Sequence, residues 1–141
     1  MKEALKEAKK AYAKNEIPVG AVIVLGDKVI ARGHNLKESK NDPTAHAEII
    51  AIRKAANKIG WRLNKCVMFV TLEPCAMCTG AILEARLKMV VYGAKDSKAG
   101  CMGSACSFFK EFREELIVKA SILEKECKDL LQSFFKNLRQ K

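Results

Sequence analysis

Short apolar runs of strand length alternate along this chain with segments of helical periodicity, and this alternation constrains the fold most. Val19–Leu25 ends at Gly26-Asp27 and Lys28–Arg32 follows, so the pair reads as a β-hairpin. Cys66–Leu72, "CVMFVTL", is a buried strand; Met89–Tyr92 is another, ended by Gly93, and Leu116–Lys119 is a candidate last strand. Between them, residues 2–15 place Leu5, Ala8 and Tyr12 on one helix face. Thr44 can cap a helix that runs to about Lys58 and stops before Gly60. Pro74, favoured in a first turn, starts a helix running to about Arg86. Leu123, Cys127, Leu130, Leu131, Phe134 and Leu138 form an apolar stripe at helical spacing. Residues 34–43 and 94–107 read as loops. The order α-β-β-α-β-α-β-(β)-α predicts a three-layer α/β domain with a mixed sheet.

The 141 residues fit one domain, 1–141, and suffice for a full apolar core. There is no internal repeat, low-complexity segment or linker. No apolar run approaches the ~18–20 residues that span a bilayer, and "MKEALKEAKKAYAKNE" lacks the apolar block of a signal peptide. The expected compartment is therefore the cytoplasm, with no membrane segment. There, six cysteines are expected as thiols or metal ligands rather than disulfides. A formal net charge of +10 favours a polyanionic partner, nucleic acid first and an anionic membrane second, with a plain lysine-rich surface as the rival.

The chemistry concentrates in two short stretches. Cys75 and Cys78 share a face in the first turn of a helix, where free N–H groups and the helix dipole favour thiolates. His46, one of only two histidines, stands two residues before Glu48 near another helix start. With Thr44 as cap, His46 and Glu48 would occupy the second and fourth helical positions and reach around a point off the helix tip. His46, Cys75 and Cys78 would then hold a zinc ion with one position left for water, the pattern of a catalytic site. Glu48 would take the proton of that water. Three other readings stay open: a redox Cys-x-x-Cys pair, a closed structural zinc site that borrows Cys101 or Cys106, and a core or capping histidine.

At these residues the chain resembles the zinc-dependent nucleoside and nucleobase deaminases, whose signature is H-x-E followed by P-C-x-x-C. The stretches "IPVGAVIV", "NDPTAHAEI", "VTLEPCAMCTGAI", "VVYGAKDSKAGCMGS" and "ECKDLLQSFFKNLRQ" are similar to the bacterial tRNA-specific adenosine deaminases across nearly the whole chain. The segment between Gly103 and Glu126, with residues 104–125 at its centre, departs from that pattern: "SACSFFKEFREELIVKASILEK" stands where an Asn-His-Arg/Lys run is expected.

The resemblance implies a cytidine-deaminase-like α/β/α fold around a central mixed five-stranded sheet. It also implies hydrolytic deamination of adenosine to inosine at the wobble position of a tRNA anticodon, one Zn2+ per subunit, an anticodon stem-loop as substrate and a homodimer. Glu48 would be the catalytic proton carrier, and His46, Cys75 and Cys78 the metal ligands. Asn35 and the backbone around Ala47 would hold the base. Asp96, Phe135, Lys136 and Arg139 are candidate RNA contacts, with turn formation, core packing and a solvated helix end as their respective rivals. A free guanine, cytosine or nucleoside deaminase is the alternative within the same chemistry, and a non-catalytic zinc or RNA-binding module the alternative outside it. His34 reads as a loop histidine without catalytic work, and Cys66 and Cys127 as small core residues.

Overall fold

A computed structural model describes residues 1–141. The elements are α1 (Lys2–Ala13), β1 (Gly20–Leu25), β2 (Lys28–His34), α2 (Ala47–Ile59), β3 (Cys66–Leu72), α3 (Ala76–Glu84), β4 (Met89–Ala94), α4 (Phe109–Phe112), β5 (Ile117–Lys119) and α5 (Glu124–Arg139). They build the expected mixed five-stranded sheet, in the order β2-β1-β3-β4-β5. β1 is antiparallel to β2 and β3, while β3, β4 and β5 run parallel. Gly26, with φ 61, makes the hairpin turn between β1 and β2.

Helices cover both faces, giving three layers. α2 packs on β2 and β1, and touches α3; α1 packs on β1 and β2, and α5 on β4 and β3. Side chains alternate across the sheet with period two. Ala21, Ile23, Met68, Val70, Val90 and Tyr92 therefore join Ala47, Ala51, Ala55 and Ile82 in the larger core. Val22 and Val91, out of phase with these, are buried on the opposite face. Cys66 and Cys127 are core residues, at 0% and 1% exposure.

Two helices approach the sheet at backbone contact distance. The buried faces of α1 and α2 are built from Ala4, Ala8 and Ala11, and from Ala47, Ala51 and Ala55. Opposite them stand glycines. A Cβ at Gly20 would lie 2.0 Å from the Ala4 carbonyl oxygen, and one at Gly33 would lie 2.5 Å from that of Ala47 and 2.9 Å from the amide of Ala51. The Gly33 contact seats the first turn of α2, which carries His46 and Glu48.

Several boundaries differ from the sequence expectation, each for a local reason. Thr44 does not cap α2. Asp42 Oδ1 accepts bonds from Thr44 N (2.9 Å) and Thr44 Oγ1 (2.7 Å), folding a turn that delays the helix, and His46 takes the N-cap. Pro74 does not begin α3 either: Cys75 is its N-cap. Pro74, lacking an N–H, closes the ladder of β3 with β4, whose last bond runs from Glu73 N to the Ala94 carbonyl (2.8 Å). α3 stops at Glu84, short of Arg86, which has φ 63 and turns the chain out of the helix. β2 extends through His34, so this histidine ends a strand; it stands between Glu7 and Lys14, with ring nitrogens 3.1 Å from each. The single-turn α4 in the departing segment buries Phe109 and leaves Phe112 exposed. Leu138, the last member of the α5 stripe, is 54% exposed.

A buried carboxylate organises the loop after β2. Glu16 is 1% exposed and accepts bonds from Glu38 N (3.2 Å), Ser39 N and Ser39 Oγ (2.7 Å). Burial pushes its carboxyl up, but the bonds from Ser39 and Glu38 outweigh that and hold it below the ordinary value of 4.5.

Two outcomes are expected. Gly33→Ala forces α2 off the sheet, at a cost of about 1–3 kcal/mol in a denaturant titration, and lowers catalytic turnover because the tip of α2 moves. Glu16→Gln loses about 2 kcal/mol at pH 7. Because the folded-state pKa of Glu16 is depressed, its contribution is complete above the unfolded value and disappears as pH falls through the folded one. Thermal melts of Glu16→Gln should therefore fall less steeply than those of the unaltered protein below about pH 4.5.

Candidate active site

Strand polarity gathers the site at one edge of the sheet. The C-terminal ends of β2, β3 and β4 meet the start of β1 there, and ligands of open α/β sheets bind beyond such ends. A pocket of about 220 Å³ opens at this edge. Its walls are Ile17 and Val19 before β1, Asn35 and Lys37 after β2, and His46, Ala47 and Glu48 at the tip of α2. Leu72, Glu73 and Cys75 after β3, with Asp96 and Ala99 after β4, complete it.

The two short stretches meet as the sequence suggested, by a different local geometry. As N-cap, His46 has extended backbone angles, φ −78 and ψ 153. Its side chain therefore leaves the helix axis while Glu48, in the first turn, points back into the pocket wall. Cys75 caps α3 in the same way, with φ −76 and ψ −179, and Cys78 lies three residues on. His46 Nδ1 stands 3.7 Å from Cys75 Sγ and 3.5 Å from Cys78 Sγ. All three donor atoms lie within 4.8 Å of one another. Zn–S bonds near 2.3 Å and Zn–N bonds near 2.05 Å in a tetrahedron separate N and S donors by roughly 3.5 Å, so the set fits zinc.

The protonation pattern is that of a site that carries charge. Cys78 donates to Cys75 and holds the Cys75 thiol down to about 4, against burial and with help from His46. Cys78 is pushed up by the same bond and by burial. His46 is raised, chiefly by its bond with Cys75. Glu48 is 4% exposed, and burial pushes its carboxyl above the ordinary range. A cation taken up here would displace the proton that Cys78 keeps, because thiolate is the ligating form.

Two of the open alternatives lose their support. Cys101 and Cys106 contact each other, Sγ to Sγ 2.7 Å, and do not join the His46 group. A fourth cysteine ligand is therefore not in place. His46 is neither a core residue nor a side-chain cap: its ring faces the two sulfurs and it makes no cap hydrogen bond.

The remaining candidates separate into three groups. Asn35, Ala47 and Asp96 line the pocket. Asn35 is 8% exposed, donates to the Ile17 carbonyl (3.3 Å) and accepts from Lys37 N (3.1 Å). Asp96 Oδ1 accepts from Lys98 N (3.0 Å) and Ala99 N (3.1 Å), so turn formation is one of its functions. Phe135 lies in an adjoining groove with Ile17, Leu72, Lys95, Asp96, Ser97, Lys98, Ala99 and Leu131. Its ring stacks edge-on against Phe134, which is packed in turn on Tyr12. Lys136 and Arg139 are exposed on α5 and line neither the pocket nor the groove. Sequence reasoning did not single out Ile17, Val19, Lys37, Leu72, Glu73 or Ala99 as pocket residues; for Glu73 the available signal was a charge between an apolar strand and Pro74.

Comparison with known proteins agrees with this geometry. The family of MafB19-like deaminases matches residues 1–139. A tRNA-specific adenosine deaminase of Bacillus subtilis (strain 168) is 46% identical over 144 aligned residues, covering 100% of this chain and 89% of the relative. A solved structure from a study of A-to-I editing by tRNA deaminases at the wobble position of transfer RNA superposes with a TM-score of 0.86. It is 39% identical and the match covers 93% of this chain and 97% of that one. A guanine deaminase from Bacillus subtilis is 44% identical over 67% of this chain and 61% of its own, with a TM-score of 0.64. The chain belongs to the MafB19-like deaminase family and, within it, to the tRNA-specific adenosine deaminases.

Proposed function

We propose that this chain hydrolytically deaminates adenosine to inosine at the wobble position of a tRNA anticodon, with one zinc ion per subunit. The observation that carries the reading is the convergence of His46, Cys75 and Cys78 on one point, with buried Glu48 in the wall of the same pocket. His46 Nδ1, Cys75 Sγ and Cys78 Sγ would hold the zinc. When bound, zinc lowers the pKa of a coordinated water to about 7.

The chain's own residues supply the rest. Glu48 would take a proton from water at its carboxylate and deliver it to N1 of the adenine ring as the water oxygen bonds to C6; it would then take the proton of the C6 hydroxyl and pass it to the amino group, which leaves as ammonia. Burial strengthens its hold on the proton between those transfers. Asn35 would hydrogen-bond the base, the backbone at Ala47 would fix its edge, and Ile17, Val19 and Leu72 would pack its faces. The balanced reaction is adenosine plus water to inosine plus ammonia.

The substrate class follows from the surroundings of the pocket. An unpaired anticodon adenosine costs a few kcal/mol at most to splay out, and phosphate and stacking contacts must return that energy. Lys95, Lys98 and Phe135 line the adjoining groove and would meet flanking nucleotides, and Asp96 lines both groove and pocket. Lys136 and Arg139, further along α5, would meet phosphates of the stem. A net charge of +10 suits a polyanion, whereas a free base would not use it. Deamination of free guanine is the second reading, supported by the likeness to the guanine deaminase.

The working unit we propose is a homodimer of single-domain subunits, 1–141, in the cytoplasm. One sheet carries all the strands, no helix is long and apolar enough to cross a membrane, and Phe112, 73% exposed, lies in a mixed groove with Leu83, Glu84, Arg86, Phe108 and Arg113 that a second subunit would cover.

Zinc-loaded protein should convert adenosine to inosine in an anticodon stem-loop that carries it at the wobble position, and leave free nucleosides and guanine unchanged. Turnover of guanine without RNA editing would replace the first reading with the second. Glu48→Gln should lower kcat by about 10²–10⁴-fold while retaining zinc by elemental analysis; unchanged turnover would remove Glu48 from the mechanism. Sedimentation at working concentration should give twice the 15.6 kDa chain mass, and a monomer would count against the dimer.

A further inference from the structure

Glu73 is a buried carboxylate that the deamination chemistry does not use. It follows β3, stands two residues before Cys75 and is 2% exposed. Its two oxygens take four donors, all from one loop. Oε1 accepts from Asp96 N (3.2 Å) and Ser104 Oγ; Oε2 accepts from Met102 N (3.0 Å) and Ser104 N (3.1 Å). The loop closes around the carboxylate so tightly that a Cβ at Gly100 would lie 2.4 Å from Glu73 Cδ and 2.5 Å from the Asp96 carbonyl oxygen.

The loop is otherwise held by its own turns, with Asp96 O and Gly100 O accepting from backbone amides within it, and by the burial of Cys101 and Met102. Between β4 and α4 the only regular pairing is an isolated bridge between Met102 and Ser107. Its remaining attachment to the β3–α3 junction is Cys101 N donating to the Pro74 carbonyl (2.9 Å). Yet the loop supplies Asp96 and Ala99 to the pocket wall, and Lys95, Ser97 and Lys98 to the adjoining groove. A buried charge is costly unless its donors are in place. Four donors on one carboxylate are therefore a strong geometric constraint on the segment that provides them.

We propose that Glu73 is a positioning residue for substrate: it ties the 95–104 loop to the strand end that leads into Cys75, and so sets the pocket wall relative to the metal ligands. Its side-chain hydrogen bonds all go to the loop and none to His46, Cys75 or Cys78. Its effect passes through the Asp96 backbone, whose side chain then caps the Lys98-Ala99 turn that forms the wall. The inference rests on the reading that this pocket takes the substrate base.

The test compares the zinc-loaded unaltered protein with Glu73→Gln and Ser104→Ala, by steady-state kinetics on the anticodon stem-loop, zinc analysis and amide hydrogen exchange. Glu73→Gln keeps the side chain's size but gives up two of its four acceptor positions to an NH2 group that faces donors. KM should rise about tenfold or more while kcat changes less than about threefold. Zinc content should be unchanged, and the amides of Asp96, Met102 and Ser104 should exchange faster. Ser104→Ala removes only the hydroxyl contact and should move KM and exchange in the same direction by less. An unchanged KM, or a loss confined to kcat or zinc content, would overturn the proposal. Should Glu73→Gln fail to fold, an unchanged KM in Ser104→Ala would do so. If the unaltered protein edits no RNA but turns over guanine, the function reading fails while this one is judged by the same KM comparison on guanine.

Discussion

The backbone contact between α2 and β2 at Gly33 is the constraint on which the site depends. Gly33 has no side chain to separate the strand from Ala47 and Ala51, so the helix lies directly on the sheet. The tip of α2 is thereby carried to the edge where β3 runs into α3. His46 and Cys75 then meet as the N-caps of two helices, each with extended backbone angles that swing its side chain clear of its own helix. A bulkier contact face at Gly33 would force the first turn of α2 to shift against β2.

The same packing explains the charge distribution. Two helix N-termini point at the site, and such ends favour negative charge. The Cys75 thiolate is favoured there, whereas burial works the other way on Glu48 and pushes its carboxyl up; His46, beside Cys75, is raised. The remainder of the pocket is passive: apolar residues at the start of β1 and end of β3, and loops held from below by buried carboxylates. Glu16 anchors the Glu38-Ser39 turn of the loop that supplies Asn35 and Lys37, and Glu73 anchors the loop that supplies Asp96 and Ala99. The walls that a substrate must fit are thus irregular backbone, while the reacting groups stand on helix tips.

Much of this was legible in the residue pattern. Strand and helix runs are local, and the periodicity of "VGAVIVL", "CVMFVTL" and the α5 stripe led to the observed order of elements apart from the single-turn α4. The candidate ligand group was legible because Cys-x-x-Cys after a strand and His-x-Glu at a helix start together resemble a known deaminase signature. The boundary errors were also local but turned on competing hydrogen bonds. Thr44 is a good cap, yet Asp42 captures its hydroxyl and amide first. Arg86 adopts positive φ, which a residue-type preference does not anticipate.

By itself, then, the sequence determined the alternation of elements and the net basic charge, and it pointed to His46, Cys75, Cys78 and Glu48 as candidates for one site. The first two follow from residue type and spacing over a few positions, the last from those and the family resemblance. Only the tertiary structure decided that His46 is the cap, that the free thiols of Cys101 and Cys106 lie against each other, that Lys136 and Arg139 stand apart from the pocket, and that Glu73 binds a loop lying 23 to 31 residues away. Those outcomes depend on which distant donors the sheet order brings together. No local propensity carries that information.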